Sequence, residues 1–364
     1  MKKTLILIAL LAVNFDATVK AQDQNEQAII TNAATKFLIL SSQEKWLEAK
    51  PFVQQAYELG LTIYTVSDPQ FGPIAYHYGA VQVALREASS LLPLTQAKNN
   101  YQQNLGDNSL QLIPVLGDLA SAYMLAGNFD QAEKHLDRAI ELASDEYGKN
   151  STMIANLSSR AGKEFSEAGN YTVALELQDQ AHEIYLGVLG PKSPTTGEEA
   201  YQLSESFRLN QNIYGQVTFL KKTVDSFDQP EKAKNEFERT VHTKLVEAYQ
   251  SLEKPKRATK HVLALAASIA YQDKLEPTLL VKANATYRSR GERTKLEGFV
   301  LLKFDVDSNG MVQNINLLEL EGDRKLVKLA IGALKDYRYI PVVRNNKTVK
   351  TKGLETKIVF KWGA

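Results

Sequence analysis

The sequence predicts a multidomain chain, an all-α helical solenoid followed by a small α+β module. Three observations carry this. An aromatic residue recurs every 42 positions, at Tyr123, Phe165, Phe207 and Tyr249. A fixed period over three or more units marks a solenoid, in which each unit buries its apolar face against the next. The last seventy or so residues instead alternate apolar and polar side chains with a period of two, around one stretch of helical spacing. Charge divides at the same place: residues 22–274 hold 23 Lys+Arg and 31 Asp+Glu, and residues 275–364 hold 17 and 10. The near-neutral total therefore conceals an acidic arm and a basic head.

Residues 1–21 have the layout of a secretory signal peptide. Lys2-Lys3 is followed by an apolar run from Leu5 to Val13, and Val19-Lys20-Ala21 precedes Gln22. The apolar run is about half of the roughly twenty residues a spanning helix needs. Removal of the signal is the expectation, and membrane contact is expected only if this N-terminus stays uncut. The chain has no cysteine, which excludes disulfides, thiolate metal sites, a cysteine nucleophile and a lipid-modified cysteine anchor.

The solenoid is expected over 27–272. Four or five residues beyond each ladder aromatic come Gly127-Asn128-Phe129, Gly169-Asn170-Tyr171, Gln211-Asn212-Ile213 and Glu253-Lys254-Pro255. Small residues follow at Ala132, Ala174 and Ala258, and again at Ala139 and Ala181. Units 112–144 and 154–186 fit best. The unit near 196–228 has Gln216 in place of the packing alanine, and the unit near 239–271 keeps Tyr249 and Ala258. Trp46, Ala49, Val53 and Ala56 suggest one earlier helix pair and residues 75–104 another, both fainter than the ladder units, and a solenoid of about five repeats is expected.

The α+β module is expected over 275–364. Val300, Leu302, Phe304 and Val306 share one face of a first strand, and Asp307-Ser308-Asn309-Gly310 supplies a turn. Val312 points inward on the returning strand, whereas Ile315 and Leu317 have the opposite parity; a bulge near Gln313-Asn314 reconciles them. Asp323 is placed to cap a helix bearing Leu326, Ala330, Ala333, Leu334 and Tyr337, which Pro341 is expected to stop. A last strand alternates Thr356, Ile358, Phe360 and Trp362 against Lys357, Val359 and Lys361.

Glu297-Gly298, the Asp307 to Gly310 turn, Arg338-Tyr339-Ile340-Pro341 and the alternating Glu355 to Trp362 strand, in this order, resemble the C-terminal domain of TonB-type energy transducers. The family's Tyr-Pro pair upstream of Glu-Gly is absent, since Ala285-Thr286-Tyr287-Arg288 stands there. The ladder of aromatic, glycine, aromatic and alanines resembles the tetratricopeptide repeat. Its 42-residue period and the Leu189-Gly190-Pro191-Lys192-Ser193 type of joint resemble the longer, kinesin-light-chain-like variant. The fold these resemblances imply is a tetratricopeptide-like solenoid followed by a TonB-like domain.

No constellation for catalysis, metal or cofactor binding is present. His77, His135, His182, His242 and His261 lack a second histidine at helical ligand spacing. His135 and His261 share a repeat position, which reads as a solvated helix face. There is no phosphate-cradling glycine loop and no nucleophile elbow, and Asp305 with Asp307 reads as a turn cap rather than an acid–base pair. Nucleic acid is not expected as a partner, because the basic residues are not interleaved with stacking aromatics.

What remains is recognition of proteins or peptide segments. In tetratricopeptide-like repeats the first helix of each pair lines a groove, and by that resemblance Asn156, Ser159, Lys163, Ser166, Tyr201, Glu205, Arg208, Glu247 and Gln250 would face it. If Glu355, Thr356, Lys357, Ile358, Val359, Phe360 and Lys361 form a sheet edge, their backbone can accept a partner strand; the TonB resemblance implies capture of periplasmic segments of outer-membrane receptors in this way. Edge lysines also discourage pairing. The expected function is a non-enzymatic periplasmic adaptor in envelope transport. The alternative is an energy transducer anchored in the inner membrane and driven by the proton gradient. A transducer needs a spanning helix and a long extended linker, whereas five helix pairs spaced roughly 10 Å apart reach only about 50 Å.

Overall fold

A computed structural model describes residues 21–272, 274–283 and 297–360. Residues 1–20, 273, 284–296 and 361–364 lie outside it, and with them the expected signal peptide up to Lys20, the Ala285 to Arg288 segment, Lys361 and Trp362. The chain divides into two compact units, Met1–Val188 and Leu189–Ala364.

The first unit is built of antiparallel helix pairs: α1 (Ala21–Ser42) with α2 (Trp46–Ile63), α3 (Phe71–Ala84) with α4 (Leu91–Leu105), α5 (Leu112–Leu125) with α6 (Phe129–Tyr147), and α7 (Thr152–Glu167) with α8 (Tyr171–Leu189), which runs to the unit boundary. The second unit continues with α9 (Pro194–Leu209), α10 (Ile213–Asp225), α11 (Glu236–Ser251) and α12 (Pro255–Ala266). There are thus six helix pairs among the described residues, against about five expected.

The turn inside each pair explains the count. Its positive-φ residue is Glu44 (59°), Arg86 (58°), Gly127 (72°), Gly169 (86°), Gln211 (57°) or Glu253 (56°), at spacings of 42, 41, 42, 42 and 42 residues. The next N–H donates to the carbonyl five residues back: Lys45 to Leu40, Glu87 to Gln82, Asn128 to Tyr123, Asn170 to Phe165, Asn212 to Phe207 and Lys254 to Tyr249, all at 2.8–2.9 Å. This closure satisfies carbonyls that a helix end leaves without partners. The ladder aromatics are therefore the residues whose carbonyls end the first helix in the last four pairs, a place held by Leu40 and Gln82 in the first two. Glycine takes the left-handed backbone freely, and other residues take it at about 1–2 kcal/mol. In the repeats without glycine, tertiary packing carries that cost. Asn128 and Asn212 then cap the second helices, their Oδ1 atoms accepting from Gln131 N at 3.2 Å and Gly215 N at 3.0 Å. Ala49, Ala132, Ala174 and Ala258 are fully buried where paired helices touch, and Gln216 at the same position is buried as well.

The histidine expectation is corrected here. His261 is 1% exposed, and its ring stacks on Tyr249 as that of half-buried His135 does on Tyr123. Its Nδ1 lies 2.9 Å from Nδ1 of His242, also 1% exposed. The two are 19 residues apart, so no helical spacing announces the pair. Burial drives the His242 pKa down to about 4, and burial, then His242, drive that of His261 down to about 3. Unfolding therefore takes up protons between the ordinary imidazole value and these lowered ones. The contribution is fully present above about pH 6.5 and is lost as pH falls toward 4, at about 1.4 kcal/mol per pH unit for each histidine. Imidazole proton resonances of both residues are expected to stay constant from pH 8 to 5. A titration near pH 6.5 by either one would contradict the burial.

The C-terminal module closes the second unit. β2 (Gly298–Val306), β3 (Val312–Gly322) and β7 (Thr351–Phe360) form an antiparallel sheet of order β3-β2-β7. Helix α13 (Lys325–Lys335) lies over β2 and β3. Val300, Leu302, Phe304 and Val306 meet Leu326, Ala330, Ala333, Leu334 and Tyr337 in one core, as the periodicities predict. The bulge is found at Asn314, with φ of 52°. A second irregularity, at Leu318, leaves Leu317 and Leu318 exposed, so Leu317 does not reach the core. Asp323 Oδ1 accepts from Lys325 N at 2.8 Å at the start of α13. The helix ends at Lys335, six residues before Pro341, so proline is not what stops it. The intervening residues form β4 (Arg338–Ile340), paired with β1 (Thr278–Val281), and a hairpin of β5 (Val342–Arg344) and β6 (Lys347–Val349) follows.

Candidate functional site

β7 has β2 on one side and no strand on the other among the described residues; β3 is the opposite edge. The two edges differ in regularity. From Leu354 to Phe360, seven consecutive residues of β7 keep one register against Phe304 to Gly298, whereas β3 is broken twice against the same strand. Bulges spoil an edge as a template and straight runs preserve it. Thr356, Ile358 and Phe360 turn toward the core, Ile358 fully, while Lys357 and the 53% exposed Val359 face out as their parity predicts. Lys357 Nζ lies 3.4 Å from the centre of the Phe299 ring, a cation–π contact on the outer face of the sheet. Glu355 faces Lys303 at 3.9 Å.

The beginning of β7 is pinned by Asp305, whose carboxylate accepts from Asn314 Nδ2 at 2.7 Å, Lys350 Nζ at 2.9 Å and Gly353 N at 3.1 Å. These hydrogen bonds, that of Asn314 first, hold its pKa down to about 2. Asp307 Oδ1 accepts from Asn309 N and Met311 N, both at 2.9 Å, so Asp307 caps the turn as expected, whereas Asp305 ties β3 to the start of β7. Among the described residues no cluster of three potential metal ligands forms.

The groove candidates separate. In the first unit, Asn156 is exposed and accepts from Tyr185 Oη at 2.6 Å, Lys163 is exposed, Ser159 is half-buried, and Ser166 is 5% exposed, inside the repeat rather than on its surface. In the second, Glu205 on α9 receives Arg208 Nε and Lys244 Nζ of α11, each at 3.0 Å. Tyr201 packs edge-on against Phe237. Glu247 lies exposed on α11, where partial desolvation by its neighbours raises its carboxyl pKa. Gln250 Nε2 donates to Asp336 O of the C-terminal module at 3.0 Å, so this residue serves an internal contact.

A polar bridge between two successive repeats lies three residues earlier on the ladder than Lys163. Asp118 Oδ1 accepts from Arg160 Nη1 at 2.7 Å, and Glu164 Oε1 from Ser121 Oγ at 3.0 Å. Burial raises the Glu164 pKa. Asp118 and Arg160 stand one period apart with opposite charge, a signal present in the sequence. Lys244 is two periods beyond Arg160.

Residues 111–187 match the model of the tetratricopeptide repeat, and residues 283–362 match that of the Gram-negative bacterial TonB protein C-terminal. The chain carries both modules. Both are interaction modules, the first associated with protein–protein binding and the second with the Gram-negative envelope. No curated protein matches the chain. Among solved structures, BtubC (BKLC) from P. vanneervenii is similar over 67% of this chain and 89% of its own, at 11% identity and a TM-score of 0.40. The putative kinesin light chain TPR-like repeats of Podosopora anserina are similar over 56% and 95%, at 13% identity and 0.43. Pseudomonas aeruginosa pilF is similar over 67% and 91%, at 12% and 0.40.

Proposed function

We propose that this protein is a non-enzymatic adaptor of the Gram-negative periplasm whose TonB-like module captures an extended segment of an envelope protein as an added strand on β7. The open, unbroken edge from Leu354 to Phe360 carries this reading. Strand addition relies on main-chain hydrogen bonds and makes few demands on side chains. Lys352 and Lys357 of β7, in a module with 17 basic and 10 acidic residues, favour an acidic segment. The polar surface of α9 and α11 around Glu205, Arg208 and Lys244 is a second contact surface for proteins in this reading.

The test is titration of a labelled eight-residue peptide of alternating valine and glutamate into the full chain. Val359→Pro is expected to weaken binding at least tenfold while the helical far-ultraviolet signal is kept, since proline removes a backbone donor from the strand. Equal affinity for parent and variant would refute strand addition at β7.

The TonB match also supports the energy-transducer reading. Among the described residues no helix is long and apolar enough to cross a membrane, so that reading rests on residues 1–21. Intact mass of the native protein separates the two: a chain beginning near Gln22 fits the adaptor, and an uncut Met1 in the inner membrane fits the transducer.

A further inference from the structure

Within the second unit the C-terminal module sits on the last helix pair. Ile340, with Leu280, Val343 and Tyr271 beside it, meets Ala233, Leu265 and Ala266. Leu280 and Val281 of β1 also reach the core of α11 and α12. Gly310 comes so close to Val262 that an added Cβ would lie 3.1 Å from its Cγ1. Beside this apolar seat, on β4, lies Arg338, 1% exposed and first by volume among the fully buried side chains.

The surroundings of that guanidinium are poor. Nη2 donates to Thr259 Oγ1 of α12 at 2.7 Å, and Nε is buried without a hydrogen-bond partner. Its hydrogen-bond partner among the described residues is a neutral hydroxyl, and the nearby Asp307 carboxylate acts on it through space without a hydrogen bond and offsets less than burial costs. A buried cation is tolerated when it is paired and fully hydrogen-bonded, and is otherwise opposed by its own hydration. The core beneath α13 has no such conflict, being aliphatic and aromatic throughout.

We propose that Arg338 is a latch that makes docking of the module on α12 reversible: the apolar seat holds the module on, and hydration of the guanidinium draws it off. Opening lifts β4 and β1 from α12, returns Arg338 to water and uncovers Val262, Leu265 and Ala266. It is a local opening whose free energy lies below that of unfolding the unit. The latch is independent of what, if anything, pairs with β7.

Hydrogen exchange read by mass spectrometry on the full chain tests this, with peptides covering α12 and β4 compared against β2. In the parent, α12 and β4 amides are expected to exchange at least tenfold faster than those of β2. Arg338→Met keeps an apolar stem of similar length without the charge, and is expected to slow exchange in α12 and β4 at least tenfold while leaving β2 unchanged. Thr259→Val removes the hydroxyl acceptor and is expected to accelerate exchange at both places at least threefold. Parent α12 and β4 amides as slow as those of β2, or Arg338→Met exchange equal to or faster than the parent, would overturn the latch. If Arg338→Met fails to fold, unchanged exchange in Thr259→Val overturns it alone.

Discussion

Phe165→Ala is expected to lower the stability of the first unit by about 3–5 kcal/mol. Phe165 is fully buried, its ring 6.0 Å from that of Phe129, and its carbonyl closes the turn to Asn170. Removing the ring leaves a cavity in a close-packed core whose small residues, Ala161 one helical turn earlier among them, have no side-chain length to fill it. Urea unfolding followed by Trp46 fluorescence, with Trp362 replaced by Phe, isolates a reporter in the first unit, since the chain has two tryptophans. A loss under 1 kcal/mol would mean that the ladder aromatic is not the packing centre of its repeat.

Gly310→Ala is expected to destabilise the second unit by about 3 kcal/mol, more than a turn glycine on an open surface loses. Its φ is +80°, which disfavours any side chain by about 1–2 kcal/mol. A Cβ built there would also lie 2.0 Å from Tyr339 O, a backbone atom of β4 that cannot rotate aside, and relieving such an overlap costs about 1–3 kcal/mol more. Gly310 O meanwhile accepts from Tyr339 N at 3.0 Å, so the substitution strains the link between the β2–β3 turn and β4. Gly332→Ala, where an added Cβ meets nothing within 4 Å, is the control. Equal urea midpoints for the two variants would show that the close approach at Gly310 is absent in solution.

The repeats were legible because their packing contacts are local in sequence. An aromatic at the end of the first helix recurs in the last four pairs, with a buried alanine nine residues on in three of them, and 42-residue counting finds them. The two earliest units were fainter, because Leu40 and Gln82 stand where the later repeats have the aromatic, and one spacing is 41 rather than 42. Backbone conformation repeated there while residue identity drifted. Groove residues were placed less well. Resemblance fixes which helix faces a groove, but a few positions along that helix decide whether a side chain such as Ser166 lies inside the repeat or one such as Arg160 bridges to the preceding one.

In the module, alternation and helical spacing identified β2, α13 and β7 together with the faces they bury. They did not reveal β1, β4 or the β5–β6 hairpin, whose runs of three or four residues are too short to establish a period. By itself, then, the amino-acid order determined the classes of the two parts, the repeat length, the bulge at Asn314 and the side of β7 that faces the core, because each depends on neighbours within a turn or a strand. Only the tertiary structure decided that β7 is an open edge and β3 a broken one, that Gln250 and Arg338 serve the seat of the module, and that His242 and His261 meet in the core. Those outcomes depend on segments 19 to 86 residues apart being brought together, and short-range periodicity carries no record of such contacts.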